Sequence, residues 1–168
     1  MKKNIKIIVT LFITIIIVSL CVSIYQKTES KKIAAEKIAA LPDFSFKSIS
    51  GIIFSDSNLR NPHGKIIINY FNPECEHCQY MAQQFVKIAD KLKDLTLLMI
   101  TISDSLSIAK FKIDYHLDSI PNIILLRDTK FQFAKIFGTT VVPSFFIYTD
   151  KKLVKEIIGE TKIENLIN

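Results

Sequence analysis

Three hydrophobic rhythms follow one another along this chain. The first is nearly unbroken: Ile5 to Ile24 reads IKIIVTLFITIIIVSLCVSI, with Lys6 its only charge. A membrane-spanning helix needs roughly 20 apolar residues to cross about 30 Å of hydrocarbon. The run therefore predicts a single N-terminal transmembrane helix over 5–24, with Lys6 snorkelling at its edge. The second rhythm, Gln26 to Ala40 (QKTESKKIAAEKIAA), is charged and alanine-rich and predicts a helical spacer. The third begins after Pro42, where short apolar runs alternate with amphipathic stretches. The expected division is an anchor over 1–25, a spacer over 26–41 and one folded domain over 42–168.

Within the domain, Phe44 to Ile49 alternates as a half-buried strand, and Ile52 to Phe54 returns after the Ser50-Gly51 turn as the second arm of a hairpin. Asp56-Ser57-Asn58 reads as a cap, and Asn61-Pro62-His63-Gly64 as a tight loop. Lys65 to Phe71 is apolar on both faces, the pattern of a central parallel strand. Cys78 to Leu92 places Met81, Phe85, Ile88, Ala89 and Leu92 on one helical face. Leu95 to Ile102 reads as a buried strand, Ser105 to His116 as a helix, and Asn122 to Leu126 as a short strand. Lys130 to Phe137 reads as a helix closed by Gly138. Ser144 to Tyr148 and Leu153 to Ile158 pair around Thr149–Lys152, and Thr161 to Ile167 starts a last helix. The alternation predicts an α/β domain with a central mixed sheet flanked by helices, an N-terminal β-hairpin extension and an antiparallel closing hairpin.

Composition changes this picture little. The net charge is +6, which by itself suggests nucleic acid, but its distribution argues otherwise. The first forty residues hold seven Lys and two Glu, and the remainder fifteen basic against fourteen acidic residues. The excess flanks the apolar run and fits a membrane surface, so no nucleic-acid partner is expected. A cleaved signal peptide would carry an apolar core of about 7–15 residues and a small-x-small site. Cys21-Val22-Ser23 is a poor site, and Leu20 is too large for a lipoprotein cleavage. Lys2, Lys3 and Lys6 precede the span while Lys27, Lys31 and Lys32 follow it, so charge orients it weakly. The expectation is a single-pass protein of the cell membrane with its domain on the periplasmic or extracytoplasmic side.

The candidate chemistry lies in Cys75-Glu76-His77-Cys78. Of the three cysteines, Cys21 falls inside the apolar run and reads as an apolar filler, while Cys75 and Cys78 form a C-x-x-C pair, a redox or metal signature. The order strand, loop, C-x-x-C, helix puts Cys75 where unsatisfied backbone N–H groups and the helix dipole stabilise a thiolate. The two-residue interval leaves the second sulfur within disulfide reach and more buried. Cys75 is then the attacking thiol and Cys78 the resolving one, and no cofactor is required.

On these residues the chain resembles the thioredoxin-like superfamily. GKIIINYFNPECEHC is similar to the active-site strand and loop of that family, and FGTTVVPSFFIY to its cis-proline segment. The leading hairpin and the insert before the proline resemble the TlpA-like, redoxin or AhpC/TSA-related branch, which includes membrane-anchored reductases. The resemblance covers about residues 43–165. It implies a redox-active disulfide between Cys75 and Cys78, a cis Pro143, and backbone pairing of Val142 with an extended substrate. It implies protein or peptide thiols and disulfides as partners, more as a reductase than an oxidase, with a membrane thiol carrier as electron donor. Three features depart from the pattern. Glu74 stands where Trp is common, and with Glu76 it places negative charge beside the thiolate, disfavouring a strongly oxidising site. His77 resembles the oxidising branch. Met81 replaces a glutamate that serves proton transfer, and Asn69 stands where thioredoxins proper carry a buried aspartate.

Three alternatives follow from the same residues. A peroxiredoxin-type peroxidase needs Thr or Ser three residues before the attacking cysteine, where this chain has Asn72; Arg127 would be its partner arginine. Copper or zinc binding would use Cys75, His77 and Cys78, but a structural zinc site wants four ligands, and His63 and His116 belong to no second pair. The last is a redox-inert interaction module on the same fold.

Overall fold

The computed structural model describes residues 15–25 and 36–167. Two units divide at Glu36 and Lys37. In the first, helix α1 covers 15–25 with exposed side chains. Among the described residues no helix is long and apolar enough to cross a membrane. The expected span, 5–24, lies partly outside the described residues, and so does most of the expected spacer, 26–41.

The second unit is organised by one strand. The run that reads apolar on both faces forms β3 (Ile66–Tyr70), after the shorter β1 (Ser45–Ser48) and β2 (Ile53–Ser55), and every β3 residue is buried. It is followed by α2 (Glu76–Lys87), β4 (Thr96–Thr101), α3 (Ser105–Asp114), β5 (Ile123–Arg127), α4 (Phe133–Phe137), β6 (Ser144–Thr149), β7 (Lys152–Ile158) and α5 (Glu164–Ile167). The seven-stranded sheet has the order β2-β1-β5-β4-β3-β6-β7. β3, β4 and β5 run parallel, while β6, β7 and the β1–β2 hairpin pair antiparallel on either side. This is the expected α/β arrangement with a mixed sheet.

Successive strand residues point to opposite faces, and β3 divides accordingly. Ile67 joins Met99, Phe145 and the α2 residues Met81, Ala82 and Phe85 on one face. Ile66, Ile68 and Tyr70 join Leu98, Phe146 and the α4 residues Phe133 and Phe137 on the other. Tyr70 stacks on Phe133 with ring centroids 4.1 Å apart.

Two helices differ from their sequence expectation for identifiable reasons. The apolar stripe of α2 continues to Leu92, but the α-helix stops at Lys87 and a 3-10 turn over Ala89–Leu92 carries the same face into the core. Periodicity records burial, and a tightened backbone buries the same side chains. Residues 130–132, expected to be helical, form a capping loop. The buried Asp128 carboxylate accepts the amides of Lys130, Gln132 and Phe133, and Phe131 takes a left-handed conformation with φ 55°. The other boundaries move by a few residues at most.

The chain enters this unit at the sheet end opposite the C-terminus of β3. Ile38 is buried, the Tyr148 hydroxyl donates to its carbonyl at 3.1 Å, and the Leu41 amide donates to Lys151 O at 2.7 Å. The entry therefore crosses none of the loops that follow β3.

Phe85 sits at zero exposure on α2 and meets the edge of Phe145 at 6.3 Å. Truncating a buried phenylalanine costs about 3–5 kcal/mol. A Phe85→Ala variant is expected to lose about that much unfolding free energy, measured as a lower urea midpoint with an unchanged denaturant slope.

Candidate active site

The site grows out of the end of β3. Phe71 extends the ladder, its amide donating to Ile100 O at 2.9 Å. Asn72 then turns the chain. Its carbonyl accepts the Cys75 amide at 3.1 Å and its side-chain Oδ1 accepts the Glu74 amide at 3.0 Å. Pro73 is buried behind it, with its carbonyl accepting Gln79 Nε2 at 2.9 Å. These bonds bend the backbone from strand to helix within a few residues, and Cys75 becomes the N-cap of α2 with extended φ/ψ of −84° and 119°. Its carbonyl accepts the Gln79 amide at 3.0 Å. The helix starts two residues before the expected Cys78, because the capping geometry and not the apolar stripe defines its first turn.

Cys75 is half-buried and Cys78 is 1% exposed. Both are free thiols joined by a side-chain hydrogen bond. The Asn72 amide donates to Cys78 Sγ at 3.5 Å. Burial pushes the Cys78 thiol up to about 12; the Asn72 amide opposes this and the Cys75 thiol adds to it.

The opposite wall is the proline segment. The Val142–Pro143 bond is cis. Tyr70 pairs with Ser144, so the next antiparallel step sets Pro143 beside Phe71, at the root of the cysteine loop. Val142 packs against both core clusters. The Ser144 hydroxyl donates to Val141 O at 2.6 Å, and the Gly159 amide donates to Pro143 O at 2.8 Å. Gly159 has φ 97°, a region that side chains with a Cβ avoid. Asn69 is buried beneath, donating from Nδ2 to Ser144 O at 3.2 Å and Tyr70 O at 3.3 Å. It ties β3 to the residue that follows the cis proline.

The remaining expected residues fall into two groups. Glu74, Glu76 and His77 are exposed around Cys75. His77 Nδ1 lies 2.6 Å from Oε2 of Glu160, a residue 83 positions away that follows β7. Sequence reading missed Glu160, because only the β6–β7 register carries it to the first turn of α2. Met81 is buried in the core at 1% exposure. The residues weighed for other chemistries lie elsewhere. Arg127 is on β5, separated from β3 by β4. His63 pairs with Asp150 at 2.5 Å, near the chain entry, and holds that carboxylate below its usual range. His116 follows α3 in a left-handed conformation. A cleft of about 250 Å³ opens beside the loop, between Pro73, Glu74 and Gln79 on one wall and Ser107, Lys110 and Tyr115 on the other.

The family model for thioredoxin matches residues 53–140, more than half of the chain. The chain belongs to the thioredoxin family and is a thioredoxin-like thiol–disulfide oxidoreductase. No curated protein matches it by sequence. Among solved structures it is similar to DsbF of Mycobacterium tuberculosis, at 19% identity and TM-score 0.62 over 78% of this chain and 92% of that one. It is similar to a secreted M. tuberculosis disulfide oxidoreductase homologous to Escherichia coli DsbE, at 18% identity and TM-score 0.56 over 76% and 87%. StoA of Bacillus subtilis matches at 20% identity and TM-score 0.57 over 76% and 96%. At these identities the likeness establishes the fold.

The raised Cys78 thiol has a consequence for stability. In the unfolded chain a cysteine ionises near 9, whereas the folded protein holds this proton up to about 12. The contribution is fully present below pH 9 and is lost as pH rises toward 12, at up to about 1.4 kcal/mol per pH unit. Reduced wild-type protein is expected to lose stability over that window faster than Cys78→Ala, as measured by urea midpoints at stepped pH.

Proposed function

We propose that this protein performs extracytoplasmic thiol–disulfide exchange through Cys75 and Cys78, in the reducing direction on protein or peptide disulfides. The observation that carries this reading is the placement of the pair: a half-buried free thiol at a helix N-cap, hydrogen-bonded to a buried free thiol one turn later, with a cis proline immediately before β6, the antiparallel partner of β3. The Cys75 thiolate attacks one sulfur of the target disulfide. The target's S–S bond breaks, a Cys75–target bond forms, and the other target sulfur leaves with the electron pair and takes a proton. Cys78 then loses its proton and attacks the Cys75 sulfur, releasing the second target thiol. Two electrons have passed to the target, and a Cys75–Cys78 disulfide remains for an external thiol carrier to reduce. The backbone of Val142 and Pro143 offers the edge along which an extended target segment lies, and the cleft beside Glu74 leaves room for a neighbouring side chain.

The direction is supported by the loop. A thiolate stabilised strongly in the reduced form makes an oxidant, whereas Glu74 and Glu76 surround Cys75 with negative charge. The location is supported by the apolar run 5–24 and by the description of one structural relative as secreted. A peroxidase is disfavoured by Asn72 in place of a hydroxyl residue and by the distance in sheet order between Arg127 and Cys75.

Cys75→Ser is expected to reduce insulin no faster than the uncatalysed background, and Cys78→Ser to accumulate mixed disulfides with its targets. Full activity of Cys75→Ser would overturn the assignment. A reduction potential near about −270 mV would support the reducing direction, and one near about −120 mV would reverse it.

A further inference from the structure

Two facts about the site remain unconnected by the reaction above. The buried Cys78 thiol must shed a proton, yet Met81 occupies the helix position one turn further in and is itself part of the core. Beside the pair, His77 is held by a carboxylate from another part of the fold. We propose that Glu160 is a positioning residue of the exchange reaction: its contact with His77 Nδ1 fixes the ring at the entrance to the cysteine pair and leaves Nε2 as the nitrogen that exchanges protons with the reacting sulfurs.

The geometry assigns the roles. An ionised carboxylate can only accept, so at 2.6 Å from Glu160 Oε2 the hydrogen sits on Nδ1. The second ring nitrogen is then the only one free to give or take a proton, the arrangement by which a carboxylate orients a catalytic imidazole. Glu160 is itself fixed. It follows Gly159, whose amide is bonded to Pro143 O and whose φ of 97° sets the direction of the next residue. The same short segment thus braces the cis-proline wall and the first turn of α2. The ionisable group in contact with His77 is Glu160; along the chain Glu74 and Glu76 precede His77, Lys162 follows Glu160, and Thr139 to Pro143 contains no ionisable group.

The proton count closes on this assignment. With Cys75 as thiolate and His77 protonated, opening the target disulfide expels a thiolate that takes the Nε2 proton. The neutral ring next receives the Cys78 proton as that thiol attacks Cys75, and passes it to the second leaving sulfur. Two target thiols and the Cys75–Cys78 disulfide result, with His77 neutral and Glu160 still holding Nδ1–H.

This inference rests on the exchange activity proposed above, and the test separates the two. Insulin reduction would be measured with full-length wild type, Glu160→Ala, Glu160→Gln, His77→Gln and the His77→Gln/Glu160→Ala double variant. Exposed charge pairs have small effects, so Glu160→Ala is expected to slow exchange about three- to five-fold. Glu160→Gln keeps an acceptor for Nδ1–H and should retain more of the rate. In the His77→Gln background Glu160→Ala should change nothing further. Nitrogen-15 shifts of His77 should report the Nδ1–H form in wild type and a mixture of tautomers in Glu160→Ala. An unchanged rate in Glu160→Ala, an equal slowing in the His77→Gln background, a Gln variant no better than Ala, or an unaltered tautomer would each overturn the inference. A wild-type protein with no exchange activity would overturn the parent reading and this one with it; an active protein indifferent to Glu160 overturns this one alone.

Discussion

A helix that begins a few residues after a strand buried on both faces must bring its first turn from the surface into the core. That constraint organises the site. β3 cannot be displaced, because its alternate residues belong to two different clusters, and Asn72 cannot swing out without releasing the Cys75 and Glu74 amides. The N-cap is therefore pinned at the sheet edge, and the position three residues later is pinned beneath it. What the fold supplies is a fixed difference in solvation between two thiols one helical turn apart.

The second wall is held by a different kind of bond. Strand ladders alone would let the segment before β6 vary, since Thr139 to Pro143 lies outside any strand. Asn69 removes that freedom. Its amide reaches from the middle of the cysteine strand to the carbonyl of Ser144, and a buried amide left without such a partner would cost about 1–3 kcal/mol. Asn69 thus acts on the site by holding the two walls in register.

Much of this was legible along the chain. β3, the C-x-x-C pair, the proline segment and both hairpins announce themselves through local signals: a two-sided apolar run, a spacing, a turn of polar residues. What was not legible depends on distance in the chain. Nothing around Glu160 distinguishes it from other charged residues near the C-terminus, and only pairing of β6 with β7 and of β6 with β3 delivers it to His77. The capping loop before α4 was misread because Asp128, buried and accepting three amides, looks like a surface residue in sequence. The turn at Asp150 and Lys151 shows the converse. Both adopt positive φ, 51° and 61°, which favours Asn or Gly, yet the strands on either side are unambiguous enough to locate the turn.

The balance of forces at Cys78 says which half of the reaction is harder. Burial is the largest influence on this thiol, and the Asn72 amide, its one stabilising contact with the charged form, is too weak to offset it. The second sulfur is thus protonated across the whole physiological range while the reduced pair is closed. In the proposed reaction, attack by Cys75 starts from a half-buried sulfur at the helix N-cap. Resolution needs a proton removed from inside the core, and one turn beyond Cys78 the helix offers the hydrocarbon of Met81 instead of a carboxylate. The mixed disulfide itself must then contribute. Once Cys75 is bound to a partner it is no longer the same acceptor for the Cys78 S–H and no longer carries a charge that repels the Cys78 thiolate, so two of the influences that keep the proton in place are weakened at the moment it has to leave. The pair is built so that forming the first bond lowers the cost of the second.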